Sequence, residues 1–198
     1  MNYEEKKFDL PTLDGLSDKQ MEVHLGLYAG YVKHVNTLRE KIHELESVDK
    51  EGNAYALAEL RRRFPFEFNG MRMHEYYFEQ FEGGSTPPTS GGAFENAVAE
   101  KYDSWEGFLD HFKAVAGSRG IGWTVLAWDP VGNSPAGEPH TYWVGDHELG
   151  QLAGLDILLA LDMWEHAFMV DYTPAEKKHY IEAFFKNLNW SLIERRLG

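Results

Sequence analysis

The sequence predicts an α+β protein: a helical half, then a half that mixes helices with a small three-stranded antiparallel sheet. Three observations carry this. Apolar residues recur at helical spacing through the first eighty positions. A Gly-, Pro- and Ser-rich stretch, EGGSTPPTSGG at 82–92, then interrupts the chain. Beyond it lie three runs with strand character.

The run SDKQMEVHLGLYAGYVKHVNTLREKIHEL reads as one long helix. Ser17 and Gln20 have capping-box spacing, and Met21, Leu25, Tyr28, Val32, Val35 and Leu38 fall on one face. A second helix, NAYALAELRRRF, is expected to break near Pro65, with a third over FNGMRMHEYYFEQF. After the linker, AFENAVAEKY and SWEGFLDHFKAVAG read as two further helices. GWTVLAW, aromatic and β-branched, reads as a strand; DPVGNSPAGEP is a turn or loop, and HTYWVG a second strand. Periodicity leaves LDILLALD ambiguous, but its neighbours favour a third strand. Thr173, Pro174 and Glu176 supply an N-cap, a first-turn proline and a capping-box partner, so a helix is expected over AEKKHYIEAFFKN, with NWSLIERRL closing the chain.

Composition narrows the function. A chain of 198 residues with 43% hydrophobic and 26% charged residues has enough material for a substantial core. No apolar stretch approaches a membrane span, and MNYEEKKFDLP lacks the features of a secretory leader, so a cytoplasmic protein is expected. The absence of cysteine excludes disulfides, thiolate metal sites, iron–sulfur clusters and a cysteine nucleophile. A net charge of −13 argues against nucleic acid as a partner. The Arg61–Arg62–Arg63 run is more simply a solvated helix end. The same charge would repel an anionic substrate unless the site itself is locally positive.

Against this background LDILLALDMWEHAFMVDY is anomalous, because Asp162, Glu165 and His166 stand in a segment otherwise fit for burial. Unpaired buried charges are costly, so these groups need partners, water or a metal. Of nine histidines, three occupy faces that read as core: His24, on the face of Tyr28 and Tyr31; His74, within MRMHEYYF; and His166, four positions after Asp162. Each alone could be a core histidine bonded to a carbonyl. Spacing by itself gives a candidate site of imidazoles and carboxylate without a ligand count.

The stretch LDMWEHAFMVDY resembles the D-x-W-E-H-A-Y signature of the iron/manganese superoxide dismutase family. VHLGLYAGYV, FNGMRMHEYYF, SRGIGWTVLAW and the closing LNW follow in that family's order, extending the resemblance from about Phe8 to Trp190. The resemblance implies an N-terminal helical hairpin domain, 1–84, followed by a C-terminal α/β domain, 91–198. It implies one iron or manganese ion per subunit, with His24, His74, Asp162 and His166 as ligands, and conversion of superoxide to dioxygen and hydrogen peroxide. It also implies a homodimer in which Glu165 contacts His166 of the other subunit. Two other functions fit less well: an inactive scaffold of the same fold, which intact ligands argue against, and a zinc hydrolase, which lacks an obvious general base.

Departures from the family pattern are informative. Members usually place a glutamine near the metal, either from an N-Q-D motif or from the helix carrying the second histidine. Here VGDHELG puts His147 at the first position, and Gly70 occupies the second. Certain archaeal members likewise use histidine. Tyr31 is the best match to the family's gateway tyrosine, with Tyr28 a lesser candidate. Tyr28 and Met169 replace a histidine and a tyrosine that bridge subunits in much of the family. Lys177 or Lys178 is expected to supply the charge that attracts superoxide.

Overall fold

The computed structural model describes residues 2–131 and 137–197. Part of the expected 129–139 loop, at 132–136, therefore lies outside the described residues. Helix α1, Asp18–Asp49, begins at Ser17, whose Oγ accepts from the Gln20 amide at 3.0 Å. Its buried face carries Gln20, Met21, His24, Tyr28, Val32 and Val35. Helix α2, Ala54–Glu79, packs against it.

The expected break at Pro65 does not occur: α2 runs through it as one helix. A proline costs a helix one backbone hydrogen bond, and the buried residues on both sides, Leu57 before it and Glu67, Gly70, Met71 and His74 after it, outweigh that local preference. The arginine run consequently sits in the middle of a helix. Arg61, Arg62 and Arg63 pair with Glu46, Glu59 and Glu67.

Beyond the linker, α3 (Ala93–Tyr102) and α4 (Trp105–Ala116) lead into β1, Gly122–Asp129. Strands β2 (Glu138–Gly145) and β3 (Asp156–Asp162) flank β1 on either side, both antiparallel to it. Because β1 is central and covered, Trp123 to Trp128 are all buried, which explains its continuous apolar run. A 3₁₀ turn, Glu165–Ala167, follows β3. A second, Pro174–Glu176, carries the expected Thr173–Glu176 capping box and runs into α5, Lys177–Lys186. Helix α6, Trp190–Arg195, packs on β3.

The sheet meets the helical half along α2 and β3. There Gln80 donates to the Ala160 carbonyl at 2.6 Å and accepts from its amide at 3.3 Å, completing an otherwise unpaired stretch of β3. No described helix is long and apolar enough to cross a membrane.

Candidate metal centre

Four side chains from four places in the chain converge at this junction. His24 comes from α1, His74 from α2, Asp162 from the last position of β3, and His166 from the following 3₁₀ turn. His24, His74 and Asp162 are fully buried, and a ligand atom from each of the four lies within 4.8 Å of the others. The Nε2 atoms of His24, His166 and His74 stand 3.0, 3.2 and 3.5 Å from a single oxygen, Asp162 Oδ2.

Backbone contacts fix this geometry. Asp162 pairs with Trp123 in the β1–β3 ladder, and its Oδ1 accepts from the Trp164 amide at 2.8 Å, so Oδ2 is turned toward the imidazoles. Tyr180 donates to the Asp162 carbonyl at 2.7 Å. Gly122 carries φ +148° and a Cβ there would stand 2.0 Å from the Val144 carbonyl oxygen. Its own carbonyl receives the Met163 amide at 2.8 Å, so this close approach anchors the end of β3. Gln20, fully buried, donates to the His166 carbonyl at 2.7 Å and accepts from the Val170 amide at 3.0 Å. Only half of the expected capping box at α1 therefore forms, because the Gln20 side chain is committed to the loop that carries His166.

The protonation states suit a cation. Burial lowers the pKa of His24 and lowers that of His74 strongly, favouring neutral rings. For Asp162 burial acts upward, but the charges and hydrogen bonds of His166 and His24 outweigh it and hold the carboxyl well below the usual carboxylate range. His74 makes the decisive test. Its Nδ1 lies 2.5 Å from the Gly70 carbonyl oxygen, which can only accept, so the proton of the neutral ring is on Nδ1. The bare Nε2 then stands 3.5 Å from a carboxylate oxygen and has no hydrogen-bond partner. Two lone pairs facing each other in a buried site are repulsive; a cation bound by both removes the conflict. Three imidazoles and one carboxylate suit iron or manganese.

His147 and Tyr31 come together beside this cluster. The left-handed backbone of Asp146, φ +51°, turns the chain after β2 so that His147 points inward, where it is 1% exposed. Trp123 Nε1 donates to His147 Nδ1 at 2.9 Å, and His147 Nε2 lies 2.7 Å from the Tyr31 hydroxyl. Since indole only donates, Nδ1 is the acceptor and the proton of neutral His147 lies on Nε2, donated to Tyr31. Burial pushes the His147 pKa down to about 4 and raises that of Tyr31. The Tyr31 ring passes so close to α2 that a Cβ on Gly70 would stand 2.5 Å from its Cδ1.

Tyr28 takes no part in this arrangement. Its hydroxyl accepts from the Lys6 amide at 2.9 Å and donates to Glu75 at 3.2 Å, and burial is the first cause pushing its pKa up to about 12. Lys177 donates to the Ser118 carbonyl at 2.8 Å, and with Lys178 it lines a depression beside Arg119 and Glu165 rather than the cavity at Tyr31. Glu165 is exposed and its carboxylate has no partner among the described residues; Met169 and Val170 nearby are half exposed. Gln20, Gln80, Trp123 and Tyr180 were not among the expected site residues. Only an aromatic at the start of β1 hinted at any of them.

Comparison with known proteins agrees with this geometry. Residues 90–196 match the family described as iron/manganese superoxide dismutases, C-terminal domain. A protein of Saccharolobus solfataricus named superoxide dismutase [Fe] is 30% identical, covering 97% of this chain and 94% of its own length. One from Aquifex pyrophilus, also named superoxide dismutase [Fe], is 31% identical over 93% of this chain and 85% of its own. A superoxide dismutase [Mn] from Mycobacterium leprae is 32% identical over 87% and 80%. With its buried cluster of three histidines and an aspartate and its three-stranded sheet, the chain belongs to the iron/manganese superoxide dismutase family.

Proposed function

We propose that the chain dismutes superoxide at one iron or manganese ion held by His24, His74, Asp162 and His166, with Tyr31 and His147 governing access and proton supply. The observation that carries this is the bare His74 Nε2 facing Asp162 Oδ2 inside a closed site. When bound, the metal supplies alternating one-electron oxidation and reduction, so that two superoxide anions and two protons become dioxygen and hydrogen peroxide.

The remaining work falls to the chain's own groups. Asp162 contributes the one negative charge among the ligands, and its Oδ1–Trp164 bond keeps Oδ2 in place. Gly70 holds His74 in the Nδ1–H tautomer, leaving Nε2 as the donor atom. His147, oriented by Trp123, donates its Nε2 proton to Tyr31, so Tyr31 keeps its own hydroxyl proton available toward the cavity. Burial first, then the charge of Asp162, keeps that phenol protonated. Tyr31, Phe66 and Trp164 wall the approach and restrict water.

On this reading 1–84 and 91–198 are two units that close on the metal. The same reading includes a homodimer; it is supported by an exposed Glu165 beside His166, whose Nδ1 makes no hydrogen bond among the described residues, an arrangement in which Glu165 would reach the partner subunit's His166. The lack of cysteine accords with a cytoplasmic setting.

Metal analysis of the purified protein together with superoxide consumption at several pH values tests the activity. The expected result is about one iron or manganese per chain with turnover. Stoichiometric zinc without turnover refutes it. Sedimentation of the wild type and Glu165→Ala tests the dimer, the variant being expected to dissociate at higher concentration.

A further inference from the structure

A chain with net charge −13 must still admit an anion to its metal. In front of Tyr31 lies a cavity of about 290 Å³ whose wall includes Phe66, Trp164, His34 and one ion pair, Arg63–Glu67. We propose, resting on the dismutase reading above, that this pair sets the charge of the entrance: Arg63 recruits superoxide and at the same time masks Glu67.

The order of the charges is the reason. Arg63 is half exposed, 51% for its side chain, whereas the Glu67 side chain is 7% exposed, so an incoming anion meets the cation first. Two guanidinium nitrogens hold one Glu67 oxygen, Nε at 2.8 Å and the terminal nitrogen at 2.7 Å. The guanidinium lies 3.6 Å above the Phe66 ring, and that ring stands 4.7 Å from His147, which bonds Tyr31. One aromatic layer therefore separates the cation from the proton-supplying pair.

Helix stability does not account for this arrangement. In an i,i+4 pair the acid is better placed N-terminal to the base, and here the order is reversed. Burying a carboxylate against aromatic walls is also unfavourable. Arg62 next door shows the ordinary case, an exposed arginine paired with Glu59 and absent from the cavity wall. Without Arg63, only the His34 ring, with Nδ1 3.9 Å from Glu67 Oε2, would stand against that carboxylate in the wall an anionic substrate meets.

The test compares metal-loaded wild type with Arg63→Gln, Arg63→Lys, Glu67→Gln, the double variant Arg63→Gln/Glu67→Gln, and Arg62→Gln as a control with the same loss of net charge. kcat/KM for superoxide is measured by pulse radiolysis from about 10 to about 300 mM ionic strength. The dissociation constant of azide, a small anionic probe of the metal, is read spectroscopically over the same range. Arg63→Gln is expected to lower kcat/KM roughly threefold at low salt, weaken azide binding in parallel, and abolish or invert the fall of kcat/KM with salt. Glu67→Gln is expected to raise both, the double variant to return toward wild type, and Arg63→Lys to retain most of the wild-type rate. Arg62→Gln should change either quantity by less than about a third of that effect.

Equal effects of Arg63→Gln and Arg62→Gln would overturn the proposal, since whole-chain charge would then suffice. So would unchanged azide affinity and salt slope. If Arg63→Gln does not fold, a Glu67→Gln protein without increased azide affinity overturns it as well. If wild type consumes no superoxide, the activity reading fails, while the azide series still reports whether the entrance recruits anions.

Discussion

Replacing Gly70 by alanine adds one carbon to a buried helix and should disturb the site without touching a ligand. The new Cβ would stand 2.5 Å from Tyr31 Cδ1 and 2.7 Å from Cε1. Reaching the 3.4 Å of ordinary contact requires the ring to retreat by about 0.9 Å. The Tyr31–His147 bond, now 2.7 Å, would then lengthen past hydrogen-bonding distance if the retreat follows its axis. Overpacking of this kind costs about 1–3 kcal/mol, and the lost hydrogen bond about 1 kcal/mol. Alanine recovers about 1 kcal/mol through its better helix propensity, so the net loss is about 1–3 kcal/mol. For a chain of this size that lowers the Tm by roughly 3–10 °C. Thermal unfolding followed by circular dichroism, on metal-free and metal-loaded protein, measures the stability. Superoxide consumption at high pH, where proton supply limits turnover, measures the gate. A Tm within a degree of wild type and an unchanged rate would refute the claim that Gly70 is required by the position of Tyr31.

Gln20→Ala removes two bonds that tie the His166 loop to α1 and leaves the partly buried His166 carbonyl and Val170 amide without that partner; about 1–2 kcal/mol of stability should be lost by denaturant titration, and metal affinity should fall about tenfold or more by competition with a chelator. His147→Gln tests the pH behaviour of metal-free protein. The native pKa of about 4 lies below the ordinary 6.5, so only the unfolded chain takes up the proton between them. Wild type should therefore lose stability relative to His147→Gln as pH falls from about 6.5 to about 4, by up to about 3 kcal/mol, with a constant difference below that range. Urea unfolding across pH 3–8 measures it, and parallel curves for the two proteins would contradict the burial assigned to His147.

Much of the fold was legible because local signals and burial agree. The linker, the β1 run and the Thr173 capping box are instances. Pro65 was misread because a local preference of a few kcal/mol was overruled by packing on both sides of it, which no window of sequence displays. The candidate ligands were visible in two steps: helical spacing singled out His24 and the apolar neighbours of MRMHEYYF singled out His74, and the resemblance carried by the motif around Asp162 and His166 joined the four into one set. Tyr28 and Tyr31 illustrate the limit. Spacings of four and seven place them about 40° and about 20° to either side of the His24 direction, so periodicity does not separate them. Their partners do, and those partners, Lys6 and Glu75 for one and His147 for the other, lie far away in sequence. Gln20 and Gln80 were invisible for the same reason. Each bonds the backbone of a residue 146 or 80 positions away, and a backbone partner leaves no trace in composition.

The two buried glutamines also bear on how the ion is acquired. They tie α1 and α2 to the 160–170 segment through backbone bonds that need no metal. Three of the four side chains proposed to hold the ion are sealed from solvent, so opening of those ties is one route by which an ion could enter or leave. On the metal reading proposed above, an ion taken up as the chain closes would be held by those ties, and the ion a mature molecule carries would then depend on supply during folding as well as on affinity.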